Sequence, residues 1–184
     1  MKKLLLFIFA LTTLTSAICL TPKEGAILNE AKIGQAKSVK SSPEAFGEAV
    51  FNALKANDYD KMKPYLPTTK DIEYMRDFEI QNDPAMKDSK KASLLASLKK
   101  FQKSRIENSK ENFDKIYAKV EEKGIIWKDI TFQKSAFKQD KKKELEQGDV
   151  YIFFNYLGAE YIIEIINCMK VDRGWLIGDK INLQ

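Results

Sequence analysis

The spacing of apolar positions changes once along the chain, near residue 124, and divides it into a helical half and a sheet half. Phe46, Ala49, Val50, Ala53 and Leu54 recur at i, i+3, i+4, i+7 and i+8, which places them on one helical face. Ser42 supplies an N-cap oxygen ahead of that helix, Pro43 fits its first position and Glu44 meets its positive end. Asn57-Asp58 breaks it. A short helical turn is expected over 59–66, limited by Pro64 and Pro67, and a further helical stretch over 70–78 before a break at Asn82-Asp83-Pro84. Leu95, Leu98, Gln102, Ile106, Ser109, Phe113, Ile116 and Val120 then step by three or four residues. One long helix, or two collinear ones, therefore runs to Lys123, and Gly124 closes it.

Beyond Gly124 the period becomes two. Ile126, Ile130 and Phe132 alternate with Trp127, Asp129 and Thr131, and a polar loop over 138–148 separates this strand from others at 150–156, 160–171 and 175–181. The connections are too short for crossovers, so the strands pair antiparallel. Centring the first hairpin on Leu157-Gly158 pairs Tyr156 with Ala159, Phe154 with Tyr161, Ile152 with Ile163 and Val150 with Ile165, and leaves one face wholly apolar. A slip of one residue would put Glu164 beside Ile152 on that face, which disfavours it. In the second hairpin, Asp172-Arg173-Gly174 reads as a three-residue loop with the glycine left-handed. It pairs Val171 with Trp175, Met169 with Ile177, Asn167 with Asp179 and Ile165 with Ile181. The expected fold is α+β, with N-terminal helices packed on a curved four-stranded antiparallel sheet.

Ahead of the first helix, Lys2 and Lys3, an apolar run over 4–11 and the small residues Thr15-Ser16-Ala17 have the layout of a secretory signal peptide over residues 1–17. The apolar run is too short to span a bilayer. Residues 18–41 are polar and small, a flexible lead-in, and residues 42–184 form a single α+β domain. The expectation is an exported protein, periplasmic or secreted. Cys19, in Ser16-Ala17-Ile18-Cys19, resembles the acylated cysteine of a bacterial lipobox, although Ile18 stands where that motif wants Gly or Ala. Lipidation at Cys19 and free secretion both stay open, and membrane contact would come only through the acyl chains. An oxidising compartment also permits a Cys19–Cys168 disulfide; the plainer reading makes Cys168 a half-buried small hydrophobe.

Composition narrows the chemistry. The 184 residues are 44% apolar, enough for one buried core. Loss of Lys2 and Lys3 with the leader lowers the formal charge from +5 by two, to +3, too mild a surplus to imply a nucleic-acid partner. The cluster over 138–143 reads as a solvated basic loop. The chain has no histidine, which removes histidine triads, histidine-ligated metals and the usual neutral-pH proton shuttle. Asp58, Asp60, Asp71, Glu73 and Asp77 lack calcium-loop spacing, and no glycine-rich phosphate loop or nucleophile elbow is present, so no metal and no cofactor is expected.

The segment from Pro43-Glu44-Ala45-Phe46 through Leu54-Lys55-Ala56-Asn57-Asp58-Tyr59, followed by more helix and by long strands ending in Gly174-Trp175-Leu176-Ile177-Gly178-Asp179, resembles the nuclear-transport-factor-2-like superfamily of cystatin-like α+β cones, in particular its exported bacterial branch. The resemblance covers 42–184. It implies a sheet curved round helices with a small-molecule site at the mouth of the cone, and roles that range from envelope proteins and association modules to isomerases and dehydratases.

The candidate site lies on the apolar sheet face, where Asn167 is expected opposite Asp179 with Phe154, Tyr161 and Trp175 nearby. A carboxylate in apolar surroundings is costly to ionise, so Asp179 could hold or shuttle a proton; the plainer reading is a hydrogen-bonded cross-strand pair. Tyr151 and Glu164 form an exposed pair on the opposite face, and Trp127 and Trp175 read as packing before ligand stacking. The sequence thus suggests an exported, non-enzymatic protein that binds a small apolar ligand or a protein partner in a cone-shaped cleft. The alternatives are a weak isomerase or hydrolase with Asp179 as acid or base, or a dimerising module that uses the outer face at Phe153, Ile162, Ile166 and Leu176.

Overall fold

A computed structural model of the chain describes residues 42–184, so the expectations for the leader, the lead-in and Cys19 lie outside the described residues. The fold is α+β: three helices, α1 (Pro43–Lys55), α2 (Thr69–Asn82) and α3 (Asp88–Glu122), precede five strands. Ser42 caps α1 as expected, its hydroxyl accepting from the Ala45 N–H at 3.2 Å. The predicted short turn is two 3-10 turns, Tyr59–Lys61 and Lys63–Tyr65. No helix among the described residues is long and apolar enough to cross a membrane.

The sheet is antiparallel in the order β1 (Thr131–Gln139), β2 (Gln147–Tyr156), β3 (Ala159–Val171) and β4 (Gly174–Leu176), with β5 (Lys180–Leu183) also paired to β3. Its inner face carries Val150, Ile152, Phe154, Ile163 and Ile165, all fully buried against Phe46, Val50 and Leu54 of α1 and Phe113, Ile116 and Val120 of α3. Gly47 sits where α1 crosses the sheet, and a Cβ there would come within 2.7 Å of Ser135. Ser135 also fastens the crossing by donating from its hydroxyl to the Glu44 carbonyl at 2.6 Å.

The first hairpin has the expected register, with Tyr156 opposite Ala159 through Val150 opposite Ile165. The second differs by one residue: its turn has two residues, Asp172 and Arg173, so Val171 faces Gly174 and Met169 faces Leu176. Ile165 nevertheless faces Ile181, because three residues, 177–179, oppose two, 167–168. That bulge splits the expected fourth strand into β4 and β5. Its cause is Asn167, whose φ of 60° breaks β3's extended path, together with Gly178, where a Cβ would stand 1.7 Å from the Ile166 carbonyl oxygen. The Asp179 N–H resumes pairing by donating to the Ile166 carbonyl at 2.8 Å.

Three further expectations are corrected. The strand begins at Thr131 and not near Ile126, because Trp127–Asp129 forms a 3-10 turn that buries Ile125 and Trp127 and turns Ile126 outward. The strand then runs to Gln139, which faces Gly148, so part of the expected 138–148 loop is sheet. In α3, Ile106 is 45% exposed and Arg105 takes the inward position between Gln102 and Ser109. A three-or-four-residue stripe admits either residue there; Arg105 is chosen because its guanidinium finds carbonyl partners.

α3 serves two cores. Its C-terminal half closes the main one, whereas Leu95, Leu98 and Phe101 join α2's Ile72 and Met75 over Val171 and Leu176 in a smaller second core. Arg105 stands between the two.

Candidate functional site

The structure brings Asn167 and Asp179 together. The bulge turns both side chains toward α3, and Asn167 Nδ2 donates to Asp179 Oδ2 at 2.7 Å. Arg105, which the sequence reading did not single out, completes the group: its Nε lies 2.9 Å from Asp179 Oδ1, Nη1 donates to the Ile177 carbonyl at 2.7 Å and Nη2 to the Asn167 carbonyl at 3.3 Å. Its guanidinium also stacks 4.7 Å from the centre of the Phe101 ring. Burial works against the Arg105 charge, and Asp179 supports it. From below, Asp149 Oδ1 accepts the Asn167 N–H at 2.9 Å.

This geometry makes the group a brace between α3 and the bulge. Asp179 is 46% exposed, and both its carboxylate oxygens are engaged. The surroundings are therefore not the apolar ones expected from an uninterrupted sheet face; the bulge lifts the pair to the sheet margin, where it adjoins a shallow hollow of about 330 Å³ lined by Ser97, Lys100, Phe101 and Ser104.

Phe154, Tyr161 and Trp175 do not gather around the pair. Phe154 is fully buried, stacked on Tyr161 with ring centres 5.5 Å apart, beside Phe51. Trp175 is buried between Phe46 and Phe137. Trp127 stacks on Tyr117 at 5.0 Å, also as packing. The Cys168 thiol is fully buried, and burial pushes its pKa up to about 12, which makes it inert. The inner sheet face is covered by side chains of α1 and α3.

Accessible apolar surface lies elsewhere. Under α2 and the start of α3, against the loop that joins β1 to β2, runs a trough. Its inner slot, about 190 Å³, is lined by the apolar Met75, Leu94, Leu98, Leu145 and Met169 and by Glu79, Lys143, Glu144 and Gln147. Its outer mouth, about 380 Å³, is lined by Tyr74, Phe78, Leu145, Glu144, Lys170 and Asp172. Glu144 and Leu145 belong to both. The sequence reading missed this site because its walls come from four separated elements, none with a recognisable motif; α2's Tyr74 and Phe78, one helical turn apart, are the signal that was present.

Arg173 secures the roof of the trough. From the β3–β4 turn it binds the Asp71 carboxylate from Nε at 2.9 Å and from Nη2 at 2.9 Å, donates from Nη2 to the Leu66 carbonyl at 2.7 Å and also reaches the Pro64 carbonyl. Asp71 is buried at the start of α2, where it completes a capping box with Thr68. On the outer sheet face Tyr151 stands opposite Glu164 as expected, and the Lys134 ammonium covers the Phe153 ring at 4.9 Å. Leu176, expected on that outer face, is buried under α2.

No family model, curated protein or solved structure matches the chain.

Proposed function

We propose that the protein is an exported, non-enzymatic binding protein that takes a small ligand with an apolar body in the trough between the α2–α3 pair and the sheet. The observation that carries this reading is the inner slot: five apolar side chains meet a few polar ones, Glu79, Lys143, Glu144 and Gln147, around a space next to an open mouth, the usual composition of a ligand site. Two features of the remaining molecule support it. The inner sheet face is buried against α1 and α3, and the apolar lining that opens to solvent is that of the trough. The Asp179 carboxylate is held in a brace by Arg105 and Asn167, which favours a binding role over an acid–base role for that residue. Export follows from the leader-like layout of residues 1–17 and is part of the same proposal.

The test is a titration with Nile red, a neutral dye that brightens in apolar sites. One dye molecule per chain should bind saturably, and Leu145→Lys, a change at a half-buried loop position, should abolish the signal without changing the circular dichroism. A signal that survives Leu145→Lys, or that never saturates, overturns the assignment.

A further inference from the structure

We infer that the ligand of this trough is a cationic amphiphile, with its alkyl part in the inner slot and its ammonium group at the outer mouth. The inference rests on the binding reading above and adds the charge and orientation of the ligand.

Three observations on the mouth point the same way. First, its charges do not balance. Glu144, Glu146, Asp172 and Lys170 line it, and Lys170 is already matched, its ammonium 2.6 Å from Glu146. Glu144 and Asp172 have no ion-pair or hydrogen-bond partner for their carboxylates among the described residues, so two negative charges face the opening. An anion would meet them as like charges; a cation would be matched.

Second, the mouth has aromatic walls. Tyr74 and Phe78 stand one turn apart on α2, their ring centres 6.4 Å apart and their planes 30° apart. Aromatic faces attract an alkylated ammonium through their negative quadrupole while tolerating its methyl groups, which carboxylates alone would not favour.

Third, the slot behind the mouth differs in chemistry from it. Met75, Leu94, Leu98 and Met169 line that slot, with Glu79, Lys143 and Gln147 as its polar members, and two of the apolar four are methionines, whose unbranched side chains adapt to a flexible chain. Glu144 and Leu145 sit at the junction, a carboxylate beside an apolar side chain, where head and tail of such a ligand would join. Lys143 and Glu79 also line the slot, one charge of each sign, so the two-charge surplus of the mouth is unchanged, whereas Lys142 lines a neighbouring hollow with Asp83.

The experiment compares three probes with the same tail, octyltrimethylammonium, octyl glucoside and octyl sulfate, each kept below micelle formation and measured by displacement of Nile red and by calorimetry. The cation should bind about tenfold or more tightly than the other two, with a preference that shrinks as salt is added. The double variant Glu144→Gln, Asp172→Asn should erase that preference and leave octyl glucoside binding unchanged. Equal binding of all three probes, or tighter binding of octyl sulfate, overturns the cationic inference and leaves the apolar site standing. Binding of none of them overturns both. A preference for the cation that survives the double variant places the selectivity outside this mouth and overturns the inference too.

Discussion

At the scale of single residues, arginine does most of the long-range fastening. Arg105 and Arg173 each join segments far apart in sequence, and both use the planar guanidinium to satisfy carbonyls as well as a carboxylate, which a lysine ammonium could not do with the same geometry. Burial opposes ionisation of Asp71, and the hydrogen bonds from Arg173 and Thr68 outweigh it, so its carboxyl titrates below the usual carboxylate range. A carboxyl whose folded pKa lies below its unfolded value, about 3.9 for an aspartate, contributes stability above that value and loses it as pH falls through the folded pKa. Urea unfolding followed from pH 5 downward should therefore show stability falling below about pH 4, and Asp71→Asn should flatten that slope. Arg173→Ala should cost about 2–3 kcal/mol at neutral pH, because it leaves the Asp71 carboxylate buried without its cation. An unchanged acid slope in Asp71→Asn would remove this account. None of these partnerships was visible beforehand: Asp71 read as one member of a loose acidic group, since only the fold brings residue 173 to residue 71.

At the scale of elements, local rules were legible wherever one buried face decided the outcome. The first hairpin's register followed from keeping Glu164 off the apolar face, and the α1 boundaries followed from Ser42 and Pro43. The second hairpin departs from its expected register because Asn167, left-handed, interrupts the alternation of β3. A left-handed asparagine in a run of extended residues leaves almost no trace in the pattern; the glycine at 178 was the only mark of it. The first hairpin has an oddity of its own. Its two-residue turn has positive φ at both positions, 50° at Leu157 and 86° at Gly158, which suits Asn-Gly and not Leu-Gly. Leu157 is 86% exposed and gains no packing in return. Leu157→Asn should therefore raise stability by about 0.5–1 kcal/mol, readable as a shift in urea midpoint at unchanged m. A neutral or destabilising result would overturn the account of backbone strain at Leu157.

For the domain over residues 42–184, the two cores set which part can open. The main core fixes α1, the C-terminal half of α3 and the inner sheet face, whereas α2 and the N-terminal half of α3 rest on the second core of Ile72, Met75, Val171 and Leu176 with the Arg173–Asp71 pair at one end and Arg105 at the other. Local opening free energy follows buried apolar contact, so the helix pair should open separately from the rest and at lower cost. That pair also roofs the trough. Hydrogen exchange measured by mass spectrometry should show amides over 69–100 exchanging well before those of α1, β2 and β3, and Arg173→Ala should widen the gap by releasing one end of the roof. Octyltrimethylammonium should then slow exchange over 69–100 selectively, because a ligand that binds only the closed form stabilises that form by mass action. Uniform exchange across both cores would show that the molecule opens as one unit, and the ligand would then have to enter through the standing mouth between Tyr74 and Asp172 without any movement of the helices.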